Sequence, residues 1–424
     1  MAQAVRWKPH NRYLDLLRRN PDYRHLWLGQ VVSLLGDWFN LIGSAALVVE
    51  LTRSGFAIGG LFIIRMLAPF LVGPLAGVVA DRYDRRQILV ATDLLRALVV
   101  LGFLLVRRPD QVWLLYTLTA LQLGISGFFF PTRNAILGDL VDEEDLGTAN
   151  ALSSATWSVM LSVGAAVGGL VAGWWGVYTA FLIDALTFLL SAGFIYRIRY
   201  RMPEALQRTE GTVAAALHQY VEGLRYLHRQ RDVLHVAAQK AALSLTSAGP
   251  FQVLMVVTAR VFFPLGESGG LSLGMLYMGL GIGTGLGPIA ARHFTGDRPW
   301  SLRRAILVGY LLTGVGLALY APLFNFPLVL LATVVRGIGG GIVWVFTTQL
   351  LLQTVPTEMR GRVFASEFMA FTLASAAAAA WGGAALDVGL SLGQAVWLMC
   401  GLNLIPTGLW AWHLRRREAE ALCT

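Results

Sequence analysis

Charged residues and cysteines are both scarce in this chain. Aspartate, glutamate, lysine and arginine make up 14% of the 424 residues, whereas 56% of the residues are hydrophobic. An average soluble domain has about a quarter charged residues, so this balance indicates an integral membrane protein. The two cysteines, Cys400 and Cys423, give neither a framework of disulfide bonds nor the spacing of a metal site.

The chain also lacks the short motifs of common enzyme classes. It contains no HExxH zinc motif, no GxSxG nucleophile motif and no nucleotide-binding P-loop. The sequence therefore predicts a protein that is not an enzyme, needs no metal or organic cofactor and does not use ATP directly. A proton gradient is then the default source of energy.

Long apolar runs, by contrast, fill most of the sequence. A membrane-spanning helix needs about 20 apolar residues. Twelve runs have this length, at residues 25–51, 56–80, 87–106, 112–139, 149–173, 177–196, 234–261, 270–292, 302–322, 327–354, 363–386 and 390–413. Because the number of spans is even, both ends of the chain are expected on one side of the membrane.

The positive charges indicate which side that is. Most of the 34 lysines and arginines fall on the side of the two termini, and only Arg53, Arg107, Arg108 and Arg260 fall in loops of the other side. Basic loops stay in the cytoplasm. We therefore predict a multi-pass protein of a bacterial-type cytoplasmic (inner) membrane, with both termini cytoplasmic and membrane lipid as a partner. Since the orientation in the membrane explains the excess of positive charge, no nucleic-acid partner is expected.

The sequence repeats itself weakly at an interval of six spans. A shift of 210 residues places Gly73, Gly77 and Arg82 on Gly283, Gly287 and Arg292, and a shift of 214 places Gly127, Glu144 and Ala151 on Gly341, Glu358 and Ala365. We predict an amino-terminal bundle at residues 1–196, a cytoplasmic linker at 197–233 with an amphipathic helix, and a carboxyl-terminal bundle at 234–424. The linker helix is either a simple tether or a brace on the membrane surface.

A basic turn follows the second run, in the sequence GPLAGVVADRYDRR at residues 73–86. Gly73 and Gly77 have GxxxG spacing, which permits close approach of two membrane helices. The turn resembles the GxxxDRxGRR loop of the major facilitator superfamily, with Asp84 where that family usually has glycine. The matching residues are Gly77, Asp81, Arg82, Arg85 and Arg86. This resemblance implies twelve transmembrane helices in two parallel six-helix pseudo-repeats, with a substrate cavity between the halves and a monomer sufficient for transport.

Further segments resemble the branch of that superfamily that contains enterobactin exporters and macrolide efflux pumps. They are Asn-Pro-Asp-Tyr-Arg at 20–24, the segment 131–141 and Glu-Gly-Leu-Arg-Tyr at 222–226. In the superfamily the turn aspartate pairs with an arginine at the foot of helix 4 and latches the cytoplasmic side. The resemblance implies a latch between Asp81 and Arg133, although Arg133 and Asp139 could instead only cap a helix end.

Charges inside the runs are candidates for the transport mechanism, because burying them is costly unless they face water or a partner. Asp37 lies near the middle of the first run, where desolvation favours a protonated carboxyl group that could exchange protons near neutral pH. Arg65 is its candidate counter-ion. Arg336 could bind substrate, assist proton transfer or pair with Glu367.

Large aromatic residues complete the predicted cavity, because they bind bulky apolar molecules by area and stacking. The candidates are Trp38, Phe39, Phe128, Phe129, Trp157, Trp344, Phe368 and Phe371. The sequence thus favours a proton-coupled exporter (an antiporter) of amphipathic small molecules or drugs. A lipid or lysolipid flippase on the same fold is the alternative.

Overall fold

The computed structural model describes residues 12–200, 213–296 and 298–422, and these residues form helices without any strand. Among the described residues, twelve helices are long and apolar enough to span a membrane, as predicted. They are α1 (Pro21–Thr52), α2 (Gly55–Ala80), α3 (Arg85–Leu105), α4 (Pro109–Leu140), α5 (Glu143–Trp175), α6 (Val177–Tyr196), α7 (Arg231–Phe262), α8 (Glu267–Thr295), α9 (Pro299–Tyr320), α10 (Phe326–Thr354), α11 (Met359–Asp387) and α12 (Leu392–Ala419).

Short polar residues mark where several of these helices begin. Asn20 accepts a hydrogen bond from the Tyr23 amide at 2.9 Å and precedes a proline at the first helical position. Ser54 caps α2 in the same way. Such caps satisfy amides that have no partner inside the helix. Between α1 and α2 the chain reverses through Arg53, whose φ of 51° is left-handed.

The bundle has two ends, which we name by the chain termini. The terminal face is the end where the described chain starts at Arg12 and finishes at Leu422. Hydrogen bonds join its elements, for example from Asn20 Nδ2 to the Leu140 carbonyl at 2.7 Å and from Arg304 to Glu418 at 2.7 Å. The opposite face carries the turn between α1 and α2 and the other loops that join helices on that side.

Helix packing follows the predicted repeat. In the first half α1 packs on α6, α2 on α4, and α3 on both α4 and α6; in the second half α8 packs on α10, and α9 on both α10 and α12. The two halves meet mainly where α2 packs on α11 and where α5 packs on α8. These two seams are equivalent under the repeat, which agrees with two parallel pseudo-repeats. The domain boundaries at residues 196 and 234 stay a prediction.

Glycines bring the halves into backbone contact near the opposite face. A Cβ added at Gly169 in α5 would lie 2.6 Å from the Cα of Gly274 in α8, and one added at Gly55 would lie 2.7 Å from the Gly383 carbonyl oxygen. The GxxxG pair behaves differently, because a Cβ at Gly73 or Gly77 would meet no atom within 4 Å. Close helix approach at Gly73 and Gly77 was therefore a wrong expectation in this conformation. The halves touch toward the opposite face and diverge toward the terminal face.

The helix of the linker, Val213–Arg229, packs against α11. Glu222 pairs with Arg362 at 3.0 Å, and a Cβ added at Gly223 would lie 2.2 Å from the Arg362 carbonyl oxygen. Leu227 is buried against the second half. These contacts fix the described part of the helix to the second half, whereas a brace on the membrane surface stays a prediction. Val213, Leu217 and Tyr220 are apolar residues of the predicted amphipathic helix, and their side chains lie outside the described residues.

Candidate functional site

A small polar pocket opens inside the amino-terminal half, among α1, α3 and α4. Its lining consists of Gln30, Ser33, Leu34, Asp37, Arg96, Phe129, Phe130 and Arg133. Three of these side chains are ionisable, although the pocket lies between membrane-spanning helices. Sequence reasoning named Phe128 and Phe129 as candidates but missed Phe130, the next residue of the same aromatic run.

Asp37 is half-buried and lines this pocket. The cations that act on its carboxylate are Arg96 and, more weakly, Arg65. Arg65 is itself half-buried on α2, and its Nη1 is buried without a hydrogen-bond partner among the described residues. The structure thus brings Arg65 close enough to act on the Asp37 carboxylate and adds Arg96 as a second cation.

Arg96 is held from several sides. It pairs with Asp93 one turn earlier, and its Nη1 donates to Ser126 at 3.3 Å. Its guanidinium lies 4.5 Å from the ring centroid of Phe129 and 4.2 Å from that of Phe188. Cations above aromatic faces are stabilised by the ring quadrupole. Arg96 is therefore a fixed positive charge at the inner wall of the pocket.

Asp184 of α6 lies behind Asp37 and is fully buried. Its Oδ1 would be 2.4 Å from a Cβ added at Gly36, the residue before Asp37, so α1 and α6 approach closely here. Neither carboxylate oxygen makes a hydrogen bond of acceptable geometry to a described residue, although Asn40 lies beside it. Asp37 and Asp184 repel each other when both are charged.

The carboxyl-terminal half holds a second polar cluster. Lys240 Nζ lies 3.0 Å from Glu367 Oε1 and donates to Thr348 Oγ1 at 2.8 Å. The same ammonium lies 4.6 Å from the ring centroid of Trp344. Of the alternatives left open for Arg336, pairing with Glu367 is not the one that the structure shows. Lys240 takes that place because α7 lies beside both α10 and α11.

Arg336 has a different environment from the one expected. It lies on α10, is 5% exposed and places its guanidinium 4.3 Å from the ring centroid of Phe251. No ion pair joins Arg336 to a carboxylate in the part of the chain that the structure describes. The backbone of α9 passes very close, since a Cβ at Gly316 would lie 2.5 Å from the Arg336 amide nitrogen.

The predicted aromatic residues divide into packing and cavity positions. Phe39 is 2% exposed and packs against Gly168, so its assignment to the cavity was wrong: the glycine leaves room for the ring between α1 and α5. Trp38 packs on Gly164 and contacts Tyr277 of α8, with ring centroids 5.3 Å apart. The remaining positions are Phe129 in the pocket, half-buried Phe128 and Phe371, and exposed Trp157, Trp344 and Phe368.

Trp344, Phe368 and Phe371 form one aromatic surface beside the Lys240–Glu367 pair. The ring centroids of Trp344 and Phe371 are 4.9 Å apart, and those of Phe368 and Phe371 are 6.0 Å apart. Trp344 is 39% exposed and Phe368 is 56% exposed. We call these three residues the aromatic shelf.

The basic turn contacts the foot of α4 in a different way from the implied latch. Arg85 pairs with Asp139, which also accepts a hydrogen bond from Tyr200 at 2.8 Å. Burial and this hydrogen bond raise the pKa of Tyr200, so the phenol remains a neutral donor. Arg86 donates to the Ile198 carbonyl at 3.0 Å, whereas Arg82 is exposed.

Arg133, the other half of the implied latch, points into the bundle. Its guanidinium donates to Gln30 and to Ser153, and it is 7% exposed. The side chain of Asp81 lies outside the described residues. A contact between Asp81 and Arg133 therefore stays a prediction, for a conformation that is closed on the terminal face.

Two sets of polar contacts close the opposite face, and sequence reasoning missed both. Asp387, at the end of α11, accepts hydrogen bonds from the Gly55 amide at 2.7 Å, from the Ser54 hydroxyl at 2.7 Å and from the Phe56 amide at 3.0 Å. A residue of one half thus caps a helix of the other half.

The second set joins α1 to α7. Arg260 pairs with Glu50 at 3.2 Å and also donates to the Ala46 carbonyl, while Ser268 donates to Glu50 at 3.1 Å. Glu50 and Arg260 are 210 residues apart, which is the repeat shift. Opposite charges at repeat-equivalent positions were therefore a signal that the sequence did contain.

Residues 26–379 match the family model of the Major Facilitator Superfamily. The chain belongs to this superfamily. The MFS-type transporter YfiS of Bacillus subtilis is 28% identical over 403 residues, which cover 93% of each chain. The protein named as bacilysin exporter BacE of Bacillus subtilis is 27% identical over 53% of this chain and 55% of its own. Macrolide efflux protein A of Streptococcus pyogenes is 24% identical over 57% of each chain.

Solved structures agree on the fold. The nucleoside transporter NupG superposes with a TM-score of 0.70 at 14% identity, over 92% of this chain and 98% of that one. At this identity the likeness concerns the fold alone. The family match, the relatives and the membrane spans together show that this protein is a multi-pass membrane transporter. The predicted resemblance to efflux proteins of the superfamily is confirmed.

Proposed function

We propose that this superfamily member exports amphipathic small molecules across a bacterial-type cytoplasmic membrane in exchange for protons. The observation that carries the proposal is a half-buried carboxylate, Asp37, in a pocket between membrane-spanning helices. Relatives named as a bacilysin exporter and a macrolide efflux protein support the outward direction. A single chain contains both halves of the cavity, so a monomer suffices.

The orientation follows from the basic residues, which concentrate on the terminal face. If that face is cytoplasmic, the described conformation is open inward and closed outward by the glycine seams and the Asp387 and Glu50 contacts. Substrate would then enter from the cytoplasm. Exchange of this state with one closed on the terminal face is the alternating-access cycle.

Asp37 and Asp184 are the groups that we propose to carry the proton. A buried carboxylate without an ion pair is stable only when it is neutral. Asp184 has this environment, and repulsion from Asp37 works against charging both groups at once. One proton held by the two carboxyl groups could therefore leave when Asp37 is exposed to the cytoplasm, with no cofactor other than the proton gradient.

A lipid or lysolipid flippase is the second candidate, and one observation favours it. Beside the open positions Gly73 and Gly77, the α2 side chains Leu71 and Leu75 are 71% and 49% exposed. An apolar opening along α2 would let a lipid enter from the side. Such a protein would not need the proton gradient.

Transport of amphipathic dyes into everted vesicles tests the proposal. We expect uptake that requires an imposed pH gradient, that collapses when the gradient is dissipated and that is lost in Asp37→Asn. Asp110→Asn is the matched control, because Asp110 pairs with Arg108 on the exposed opposite face. Uptake that ignores the gradient would reject proton coupling and favour the flippase, and gradient-driven uptake in Asp37→Asn would reject the role of Asp37.

A further inference from the structure

The Lys240–Glu367 ion pair is shielded from water inside the membrane-spanning part of the second half. The side chain of Lys240 is 8% exposed and that of Glu367 is 3% exposed. Both lie toward the terminal face, about nine residues along α7 and eight along α11, which corresponds to roughly 12–14 Å of helix. The pair thus lies in the part of the spans that is nearer to the terminal face.

The fold does not require charges at these two positions. A shift of 210 residues places Gln30 on Lys240, and a shift of 214 places Ser153 on Glu367. In the first half these uncharged side chains both accept hydrogen bonds from Arg133. A buried ion pair adds little to stability compared with packed neutral side chains. Ionisable residues retained inside a membrane protein therefore point to function.

The geometry of the pair restricts which ligand can bind to it. A ligand with only a positive group could replace Lys240 at Glu367 but would leave the ammonium buried and unpaired. A ligand with only a carboxylate would leave Glu367 unpaired in the same way. Leaving a buried charge without a partner is strongly unfavourable. A ligand that brings both charges leaves neither residue unpaired.

We propose that the Lys240–Glu367 pair binds the headgroup of a zwitterionic substrate, with the substrate ammonium on Glu367 and its carboxylate on Lys240. The proposal rests on the transport function above and names its substrate class. Thr348, which already accepts a hydrogen bond from Lys240, keeps the ammonium in place when the pair opens.

The aromatic shelf indicates what the rest of the substrate is like. Trp344 covers Lys240 on one side, is itself 39% exposed, and lies next to Phe371 and Phe368. Rotation of the indole would uncover the ion pair, and the three rings would then contact an apolar side chain. The substrate class is therefore an amino acid or short peptide with both charged groups free and a bulky apolar side chain.

Three probes that differ only in charge test this inference on the purified, full-length protein at neutral pH. They are phenylalanyl-phenylalanine, its methyl ester, which is only cationic, and its N-acetyl form, which is only anionic. We expect the zwitterion to bind with a dissociation constant at least about tenfold below those of the other two. Equal affinity for the ester or the N-acetyl form, or no binding of any probe, would overturn the proposal.

Variants show whether the preference for the zwitterion depends on Lys240 and Glu367 or on other parts of the protein. Lys240→Met combined with Glu367→Gln leaves no unpaired charge, so this double variant should fold, and we expect it to bind the three probes with equal affinity. Glu222→Gln removes an acid that contacts α11 outside the cavity and should keep the preference. A double variant that still prefers the zwitterion would contradict the inference. Gradient-driven dye uptake, measured separately, would then still support the proposed exporter.

Discussion

Two aspartates of the amino-terminal half differ in what surrounds their carboxylates. Asp93 pairs with Arg96, which is itself buried between two aromatic rings. Asp184 is equally buried but makes no ion pair with any residue that the structure describes, and its oxygens lack well-oriented hydrogen bonds. The first carboxylate therefore compensates a fixed cation, whereas the second has no paired cation, and we expect it to be neutral.

Asparagine at these two positions should consequently change stability by very different amounts. We expect Asp184→Asn to change the free energy of unfolding by less than about 1 kcal/mol, because an uncharged amide replaces an uncharged carboxyl group. Asp93→Asn should cost about 3–5 kcal/mol, because it removes the carboxylate that pairs directly with the buried Arg96. Thermal unfolding of the detergent-solubilised protein measures both. A similar loss in the two variants would show that Asp184 is charged in the folded protein.

For single residues, the sequence could predict which charges lie inside the membrane but not which of them pair, and the reason is physical. The depth of a charge along a span can be counted from the chain, so the sequence could single out Asp37, Arg336 and Glu367. Which charges meet depends on the rotation of each helix and on its neighbours, and neither is encoded in one apolar run. For this reason the sequence could name Glu367 only as one possible partner of Arg336, whereas its partner in the structure is Lys240.

Helix α2 begins at a boundary between the two halves. Its amides are capped by Ser54 from its own half and by Asp387 from the end of α11. The carboxylate also lies at the positive end of the helix dipole, which adds to the hydrogen bonds. Opening of the opposite face would separate α2 from α11 and break these contacts. The cap is thus an interaction of one conformation only.

Removing this carboxylate should therefore change the conformational equilibrium. We expect Asp387→Ala to destabilise the form closed on the opposite face by about 1 kcal/mol and to raise the open population about fivefold. Spin-label distances between cysteines introduced at Asp110 and Phe324, with Cys400 and Cys423 replaced by serine, measure that population.

A second helix cap provides the control for this experiment. Asn325 caps α10 on the same face, but it accepts its hydrogen bond from Leu328 of its own helix. Asn325→Ala should lower stability by a similar amount without any change in the distance distribution. If both variants shift the distances equally, the effect comes from loss of stability and not from the seam.

The twelve helices themselves were predictable because length and hydropathy suffice to identify a membrane span. The span predicted at 149–173 begins earlier in the structure, at Glu143. The polar first turns of α5 extend the helix toward the terminal face. The seams were not predictable in this way. A glycine in a span looks the same whether it packs, as Gly169 does, or faces open space, as Gly73 does.

The whole molecule can be described as two similar halves that touch around a pseudo-twofold axis. Glu50 and Arg260 occupy equivalent positions in the repeat and contact each other, as expected for residues close to that axis. The two glycine seams are also equivalent and lie on the same side of the bundle. All these contacts lie together on the opposite face, so we expect them to form and break as one unit in the proposed alternating-access exchange.

A larger side chain in a seam should consequently disfavour this closed face as a whole. At Gly169 the first added carbon would already be 2.6 Å from the Gly274 Cα, so Gly169→Val cannot be accommodated while α5 and α8 stay in contact. Overpacking of this kind costs about 1–3 kcal/mol, so the population open on the opposite face should rise about tenfold. The same pair of spin labels would report it.

Gly73→Val is the matched control, because a Cβ at Gly73 meets no atom within 4 Å in the described conformation. It should leave the closed opposite face intact. If α2 approaches another helix at Gly73 when the terminal face closes, as the GxxxG spacing indicates, this variant should further favour the described conformation. The two valines would then shift the exchange in opposite directions. Distances that move the same way in both variants would contradict an alternation between the two faces.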